Sequence, residues 1–149
     1  MLSIRTMESA DLDAVASIER ENFTRPWSRK SLEDSAFRKD TLYFVAQQDG
    51  SIAGYIGMWI SLDEGEITNV SVAKSMQGQG IGSLLMRHLL REAEKRQIRL
   101  CILEVRKSNH PAIRLYERAG FVSMGVRKNF YEAPKEDGLV MGKQLSEGL

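Results

Sequence analysis

The chain has 149 residues, 42% of them hydrophobic and 28% charged, which is enough to build the buried core of one soluble domain over residues 1–149. Lys and Arg number 21 and Asp and Glu 20, and the net charge of +1 argues against bulk electrostatic binding to nucleic acid or a membrane. One cysteine excludes an internal disulfide framework, and no apolar run approaches the roughly 18 residues of a transmembrane helix. Because residues 1–5 also lack the apolar core of a signal peptide, we expect a cytoplasmic protein.

The first forty residues are predicted to form an edge strand and a helical hairpin. Residues 2–5 suit a short edge strand, and Ser9 or Thr6 can cap a helix that runs to about Asn22. Ser28 can then cap a second, shorter helix.

Three strand-like runs follow the helical hairpin. Residues 43–48 and 52–60 are joined by Asp49-Gly50, a strong signal of a type I′ hairpin turn. In the third run, 66–73, the alternation of apolar residues slips near its middle. Either one extra residue near Asn69 forms a β-bulge, as is common beside active sites, or the strand begins only at residue 68.

A glycine-rich segment between residues 77 and 83 reads Gln-Gly-Gln-Gly-Ile-Gly-Ser and precedes the clearest helix pattern, at 81–96. Glycines at alternate positions suit neither a helix interior nor a strand, but they suit a backbone that approaches an anion at a helix N-terminus. The segment lacks the lysine of a P-loop, and serine at position 83 breaks the dinucleotide fingerprint. A phosphate site and a plain glycine-rich connector both remain open.

The last third of the chain is predicted to alternate strands and helices. Residues 98–105 form an apolar run typical of a strand buried on both faces, and residues 111–119 form a helix that Gly120 ends. Residues 121–126 and 139–144 are predicted as a closing pair of strands, with the charged segment between them as a long loop. This order of elements indicates an α/β sandwich around one mixed sheet.

Three polar residues near the end of the buried strand are candidates for chemistry. Glu104 is the one charge in its apolar run, and burial raises the pKa of a carboxyl toward that of a general base, although the residue could simply pair with Arg106. Tyr116 can donate a proton to a leaving group, or it can serve only in packing. Asn109 can bind an amide-bearing ligand or cap the following helix.

The cysteine and the two histidines form no obvious site. Cys101 has apolar neighbours and is interpreted as a core residue. His88 and His110 lie far apart, without a cluster of cysteines or carboxylates, so we predict no metal.

These residues resemble those of a known family, the GNAT superfamily of N-acetyltransferases. Its acyl-CoA-binding signature is Gln/Arg-x-x-Gly-x-Gly/Ala, which residues 77–82 satisfy completely. Further segments look like a bacterial subfamily that acetylates the N-terminal alanine of a ribosomal protein: residues 103–106 with 108–109, 115–117 with 120–121, and Phe23 with 26–28.

The resemblance implies a mixed central sheet of about seven strands flanked by about four helices. It implies acetyl-CoA as co-substrate, and it places Glu104 as general base, acting through a water, and Tyr116 as the acid that protonates the CoA thiolate. The residues that would hold acetyl-CoA are Val70, Ser71, Val72, Gln77, Gly78, Gln79, Gly80, Ile81, Gly82, Ser83 and Asn109.

For the acceptor, the resemblance implies a protein N-terminus, best guess the alanine of ribosomal protein S18, with no direct nucleic-acid or membrane partner. Trp27 and Tyr131 would line the acceptor groove. Position 130 departs from the subfamily, because it holds Phe130 where a tyrosine is common.

Two other functions stay open from the sequence. The acceptor could be a small-molecule amine, which an enclosed acidic pocket would favour, whereas an open groove between residues 25–32 and 127–135 would favour a protein terminus. The chain could also be a non-catalytic acyl-CoA-binding module.

Overall fold

The computed structural model of the 149-residue chain describes residues 1–23, 25–132 and 134–145. The strands are β1 (Leu2–Thr6), β2 (Thr41–Gln48), β3 (Ser51–Ser61), β4 (Glu64–Val72), β5 (Leu100–Arg106), β6 (Val122–Glu132) and β7 (Lys135–Gln144). The helices are α1 (Leu12–Asn22), α2 (Arg29–Ala36), α3 (Ile81–Lys95) and α4 (His110–Arg118), with 3-10 turns at Ser9–Asp11 and Lys74–Met76.

One mixed sheet runs through the described part of the chain, in the strand order β1-β2-β3-β4-β5-β7-β6. One hydrophobic core packs α3 and α4 against a face of this sheet, and a second core packs α1 and α2 against the other. The seven strands, the four α-helices and their order along the chain are those expected. No helix in the described ranges is long and apolar enough to cross a membrane.

Most of the predicted turns and caps are confirmed, and one is wrong. Asp49 and Gly50 both have positive φ, 51° and 83°, as a type I′ turn requires. The Ser28 hydroxyl accepts the Ser31 backbone N–H at 3.0 Å and caps α2. Neither Ser9 nor Thr6 caps the first helix.

Instead, Glu8 and Asp11 form a capping box at the start of that helical segment. The Asp11 carboxylate accepts the Glu8 backbone N–H at 2.8 Å and also pairs with Arg5 through both of its oxygens, at 2.8 and 2.9 Å. An Arg–carboxylate pair with two hydrogen bonds is stronger than a hydroxyl cap, which explains the different start.

The β-bulge predicted near Asn69 is confirmed. Gly57 of β3 lies opposite Asn69, whereas Met58 lies opposite Ile67, so Thr68 is the extra residue on β4. The alternative, a strand beginning at residue 68, is wrong because β4 begins at Glu64.

Strands β4 and β5 run parallel for only three residue pairs, and this short contact opens the sheet. Their pairing begins at Glu64 and Leu100 and ends at Glu66 and Ile102. Beyond that point the two strands share no further pairing, so a wedge opens between them. We call it the β4–β5 wedge.

The expectation that β5 is buried on both faces is wrong. Cys101, Leu103 and Val105 are buried against the α3–α4 core, while residues 100, 102 and 104 are only partly buried. The strand is also antiparallel to β7, so it is not the interior strand of a parallel sheet. The partly open face of β5 is therefore available to a ligand.

The charged segment between the last two predicted strands is not a loop. Strand β6 continues to Glu132 and β7 begins at Lys135, so most of the segment is a hairpin with an irregular register between Arg127 and Tyr131. Because β6 is an edge strand exposed along nearly its whole length, it lacks the alternating pattern that marks a half-buried strand.

Candidate active site

The three glycines of the segment 77–83 meet two different structural requirements. Gly78 and Gly80 have φ of +82° and +80°, the left-handed region, and an added Cβ at either would meet no atom within 4 Å. Gly82 lies in the first turn of α3, where an added Cβ would come within 3.3 Å of Leu115 Cδ1. Gly78 and Gly80 thus leave open space just before the N-terminus of α3, as an anion site needs.

Gln77 fixes this turn to the rest of the protein. Its Nε2 donates to the Val72 carbonyl at 3.0 Å and to Asn22 Oδ1 at 3.2 Å. Asn22 Nδ2 in turn donates to Ser71 Oγ at 2.6 Å and to the Val72 carbonyl at 2.9 Å. The last turn of α1 therefore holds the end of β4 and the glycine turn together.

The end of β4 presents an unpaired edge to the wedge. Val70, Ser71 and Val72 pair with Ile56, Tyr55 and Gly54 of β3 on one side. On the other side, pairing with β5 has already ended at Glu66. Backbone N–H and C=O groups along this edge can pair with an extended amide-bearing ligand.

Glu104 lies on β5 across the wedge, with its side chain 20% exposed. Its Oε1 is 3.3 Å from Arg127 Nη1, and its buried Oε2 has no hydrogen-bond partner among the described residues. Burial raises the pKa of this carboxyl and nearby Glu66 raises it further, while the Arg127 guanidinium lowers it. The pKa of the Glu104 carboxyl therefore lies above its ordinary value, as a general base near neutral pH requires.

Arg106 is not the partner of Glu104. Its Nη1 lies 3.3 Å from Glu136 Oε1, and its guanidinium stacks 4.4 Å from the centre of the Tyr131 ring. Glu136 also accepts the Ser108 backbone N–H at 2.6 Å, so β7, β5 and the start of α4 are tied together.

Tyr116 is 9% exposed on α4, and its ring lies 6.1 Å from that of Phe121. Burial, and to a lesser degree Tyr131, raise the pKa of the Tyr116 phenol to about 12, so it stays protonated at physiological pH. Asn109 caps α4, because its Oδ1 accepts the Ala112 backbone N–H at 3.3 Å.

Trp27 and Tyr131 lie on neighbouring segments. The Trp27 ring is 5.9 Å from that of Trp59, and its backbone N–H donates to Glu19 Oε2 at 2.9 Å. Burial raises the pKa of Tyr131, and the Glu104 carboxylate raises it further. Arg25 Nη1 lies 3.6 Å from Glu132 Oε2, so the two segments expected to flank an acceptor groove are in contact.

An open cleft of about 390 Å³ lies at the sheet surface beside β5, and we call it the acidic cleft. Trp59, Glu66 and Ile102 are among its lining residues, and Ile102 precedes Glu104 by two positions on the same face of β5. The complete lining is Arg38, Asp40, Thr41, Trp59, Ile60, Ser61, Glu64, Gly65, Glu66 and Ile102.

A second cavity of about 570 Å³ lies between α3 and α4 and begins at Ser83 of the glycine turn. Four cations and the single carboxylate Glu94 contribute to its lining; the cations are Arg87, Arg91, Arg118 and Lys143. The lining of this second cavity is thus basic, whereas the cleft beside β5 is acidic.

Sequence reasoning brought together the glycine turn, the end of β4, Glu104 and Tyr116, but it missed Glu19, Asn22, Trp59 and Arg127. One signal was available for Glu19, which follows Leu12 by seven positions on the apolar stripe of α1 and is 1% exposed. The other three depend on contacts between distant segments.

Of the remaining candidates, Cys101 is a buried core residue, His88 is partly buried and His110 is exposed. Burial raises the pKa of the Cys101 thiol to about 12, which fits a packing role. His88 meets the ring of Phe44 edge-on at 4.6 Å. Within the described ranges, no three His, Cys, Asp or Glu side chains are grouped so that they could hold a metal ion.

The chain is similar to known proteins over its whole length. A Bacillus subtilis (strain 168) protein provisionally named ribosomal protein bS18-alanine N-acetyltransferase is 37% identical over 146 residues, 97% of each chain. The Escherichia coli protein of that name is 36% identical, covering 98% of this chain and 99% of its own.

Solved structures agree with these sequence relatives. The crystal structure of the Escherichia coli ribosomal-protein-S18-alanine N-acetyltransferase has a TM-score of 0.92 at 35% identity, and it covers 100% of this chain and 99% of that one. Ard1 from Thermoplasma volcanium has a TM-score of 0.90 at 25% identity, with 98% and 99% covered. The profile of the acetyltransferase (GNAT) family matches residues 12–121, which include the glycine turn, Glu104 and Tyr116. The chain belongs to the GNAT family of acetyltransferases.

Proposed function

We propose that the chain, as one catalytic domain, transfers the acetyl group of acetyl-CoA to the N-terminal α-amine of a protein, and that ribosomal protein S18 is its acceptor. The observation that carries this proposal is the β4–β5 wedge, with the glycine turn tied to the end of β4 and the partly buried Glu104 on β5; Tyr116 lies on α4, the helix that follows β5. The names of the relatives that match along their full length support the choice of acceptor.

The donor side fits acetyl-CoA in both charge and shape. The N–H groups at the start of α3 can bind its pyrophosphate, and the unpaired edge of residues 70–72 can pair with its amide-bearing pantetheine arm. The basic cavity that continues from Ser83 suits a polyanion. When bound, acetyl-CoA supplies the activated acyl group.

The chain's own residues supply the proton transfers. Glu104 accepts a proton from the substrate ammonium through a water, and the free amine forms a C–N bond with the thioester carbonyl carbon. A backbone N–H near Val70 stabilises the resulting oxyanion. The C–S bond then breaks, and Tyr116 gives its proton to the sulfur. The nitrogen loses its second proton as the amide forms, and this proton restores the Tyr116 phenol, while the proton taken by Glu104 passes to solvent.

The shape beside Glu104 favours a chain terminus over a small amine. The acidic cleft is open rather than enclosed, and an extended peptide advances roughly 3.3 Å per residue. A peptide whose N-terminus lies at Glu104 can therefore extend over Ile102 and into the cleft. The acidic lining is also compatible with a polyamine, so a small amine remains the second candidate.

The proposed function is tested by incubating the protein with acetyl-CoA and a peptide that carries the N-terminal sequence of S18, beginning with alanine. Mass spectrometry should find one added acetyl group on the α-amine. A polyamine that is acetylated while the peptide is not would favour the small-amine function. Acetyl-CoA binding in calorimetry, without transfer to any amine of a peptide panel, would mean a binding module.

We expect Gly80→Ala to weaken acetyl-CoA binding about tenfold. A non-glycine residue at φ of +80° costs roughly 1–2 kcal/mol, and relaxing that strain would move the N–H groups that receive the pyrophosphate. Gly50→Ala is a matched control, because Gly50 has φ of +83° in equally open space but lies in the β2–β3 turn. Both variants should lose thermal stability, and calorimetry should show weaker acetyl-CoA binding only for Gly80→Ala.

We also expect acceptor peptides with Lys or Arg at positions 2–4 to be used about fivefold more efficiently than peptides with Glu there. The acidic cleft carries Asp40, Glu64 and Glu66 against the single cation Arg38, and an exposed charge pair is worth about 1 kcal/mol. Glu66→Gln should reduce the preference, and so should high salt, whereas Glu33→Gln on α2 should not. Equal kcat/KM for both peptides at low salt would contradict this role of the cleft.

A further inference from the structure

A buried carboxylate at the end of α1 is the feature that links the two halves of the proposed site. Glu19 is 1% exposed, which for a glutamate requires compensation by hydrogen bonds. Three donors provide it. Oε2 accepts the Trp27 backbone N–H at 2.9 Å, and Oε1 accepts Asn69 Nδ2 at 3.3 Å and the Tyr55 hydroxyl.

The three donors come from segments with different functions. Trp27 belongs to the connection between α1 and α2, on the acceptor side. Asn69 follows the bulge residue Thr68 and precedes Val70 on the donor strand. Tyr55 lies on β3 opposite Ser71, and burial and the Glu19 carboxylate raise the pKa of its phenol, so it remains a donor. A single side chain thus fixes the acceptor connection against the bulge.

A second series of side-chain contacts also connects Trp27 with the bulge. The Trp27 ring lies against Trp59, and the Trp59 indole N–H donates to Ser35 Oγ at 2.7 Å. Ser35 Oγ lies 2.8 Å from the Tyr43 hydroxyl, and the Tyr43 hydroxyl lies 3.3 Å from Thr68 Oγ1. Two separate routes therefore connect Trp27 with residues 68–69, which argues that their relative position is under structural control.

We propose that Glu19 is a positioning residue of the transferase, which holds the Trp27 segment of the acceptor site in register with the bulged donor strand. This inference rests on the proposed function. It differs from the role of Asn22, which contacts the end of β4 and the glycine turn and so belongs to the donor side alone. Glu19 is the residue of α1 that joins both sides.

Glu19→Gln tests the proposal, because it keeps the size of the side chain and changes its hydrogen bonds. A carboxylate accepts on both oxygens, but an amide accepts only on one, so a donor would face the new NH₂ group at one end. We expect KM for the acceptor peptide to rise at least tenfold, kcat to fall a few-fold, and the Kd of acetyl-CoA to stay within twofold of the original protein.

Asp11→Asn is the matched control for lost stability. Asp11 is also a buried carboxylate, 6% exposed, but it lies before α1, at the end away from Trp27, and pairs with Arg5. It should lower the melting temperature without raising KM for the peptide. If Glu19→Gln raises that KM no more than Asp11→Asn does, the positioning role is wrong.

A measurement on the unmodified protein does not depend on any variant folding. The Trp27 amide, held by a buried carboxylate, should exchange with deuterium at least a hundredfold more slowly in NMR than the exposed Arg25 amide of the same connection. Equal exchange rates would overturn the proposal. If the unmodified protein fails to acetylate the S18 peptide, the proposed function fails, and this exchange measurement then decides whether the Glu19 contacts exist.

Discussion

Glu104→Gln is expected to lower kcat by at least a hundredfold while acetyl-CoA binds as before. Removing a general base typically costs a factor of 10² to 10⁴, and Glu104 lies on β5, whereas the glycine turn that would hold the donor follows β4. Steady-state kinetics with the S18 peptide, together with calorimetry for acetyl-CoA, would measure both quantities. Glu33→Gln, an exposed change on α2, should alter neither.

The same variant should change the pH profile. A base works only when it is deprotonated, so kcat/KM should rise with pH through the pKa of Glu104, which burial places above its ordinary value. Since the Arg127 guanidinium lowers this pKa, Arg127→Met should move the rising limb of the kcat/KM profile to higher pH. In Glu104→Gln the limb should disappear and leave only the titration of the peptide α-amine, at about 7.7–8.0. An unchanged profile would exclude Glu104 as the base.

Tyr116→Phe is expected to lower kcat about a hundredfold, an effect comparable to that of Glu104→Gln. The variant removes the proton donor for the CoA thiolate but keeps the ring that packs against Phe121. Because the pKa of Tyr116 is raised to about 12, its proton stays available across the range in which most assays are run. The original protein should therefore show no loss of kcat from this group up to about pH 10.

Tyr131→Phe is the informative comparison for that variant. Tyr131 is likewise a phenol with a raised pKa, but it is only partly buried and lies on β6 beside Arg106 and Glu104, where the acceptor is expected. It should change KM for the peptide more than kcat. If Tyr116→Phe keeps at least a third of the original kcat, or if the two variants are equally impaired in kcat, Tyr116 is not the acid.

In the proposed function, one sheet holds both reactants. The bulge at Thr68 and the early end of β4–β5 pairing separate two strands that share a sheet, and the proposal places the reacting groups in the gap. The basic cavity lies on the donor side of this gap, and the acidic cleft lies on the side where Glu104 faces out. Orienting two bound reactants in this way can contribute roughly 7–11 kcal/mol to the rate.

Local sequence determined those features whose physical cause is local. The type I′ turn depends on the positive φ that Asp49-Gly50 accepts, and the ends of α1 and α4 depend on neighbouring residues. The bulge was visible because a one-residue slip moves every following side chain to the other face of a strand. The glycine turn and the family signature likewise lie within seven consecutive residues.

Only the tertiary structure decided which distant residues meet. Strand β6 could not be followed past residue 126 because an exposed edge strand carries no alternation, and so Arg127 was not seen to face Glu104. The choice of Arg127 over the neighbouring Arg106 follows from the β6–β7 hairpin, which also supplies Glu136 to Arg106. The contacts of Glu19 and Trp59, and the position of Glu66 in the acidic cleft, follow from packing between elements far apart in the chain. The physical reason is that a turn is set by the dihedral angles of its own residues, whereas a buried charge pair depends on where the whole sheet brings its strands.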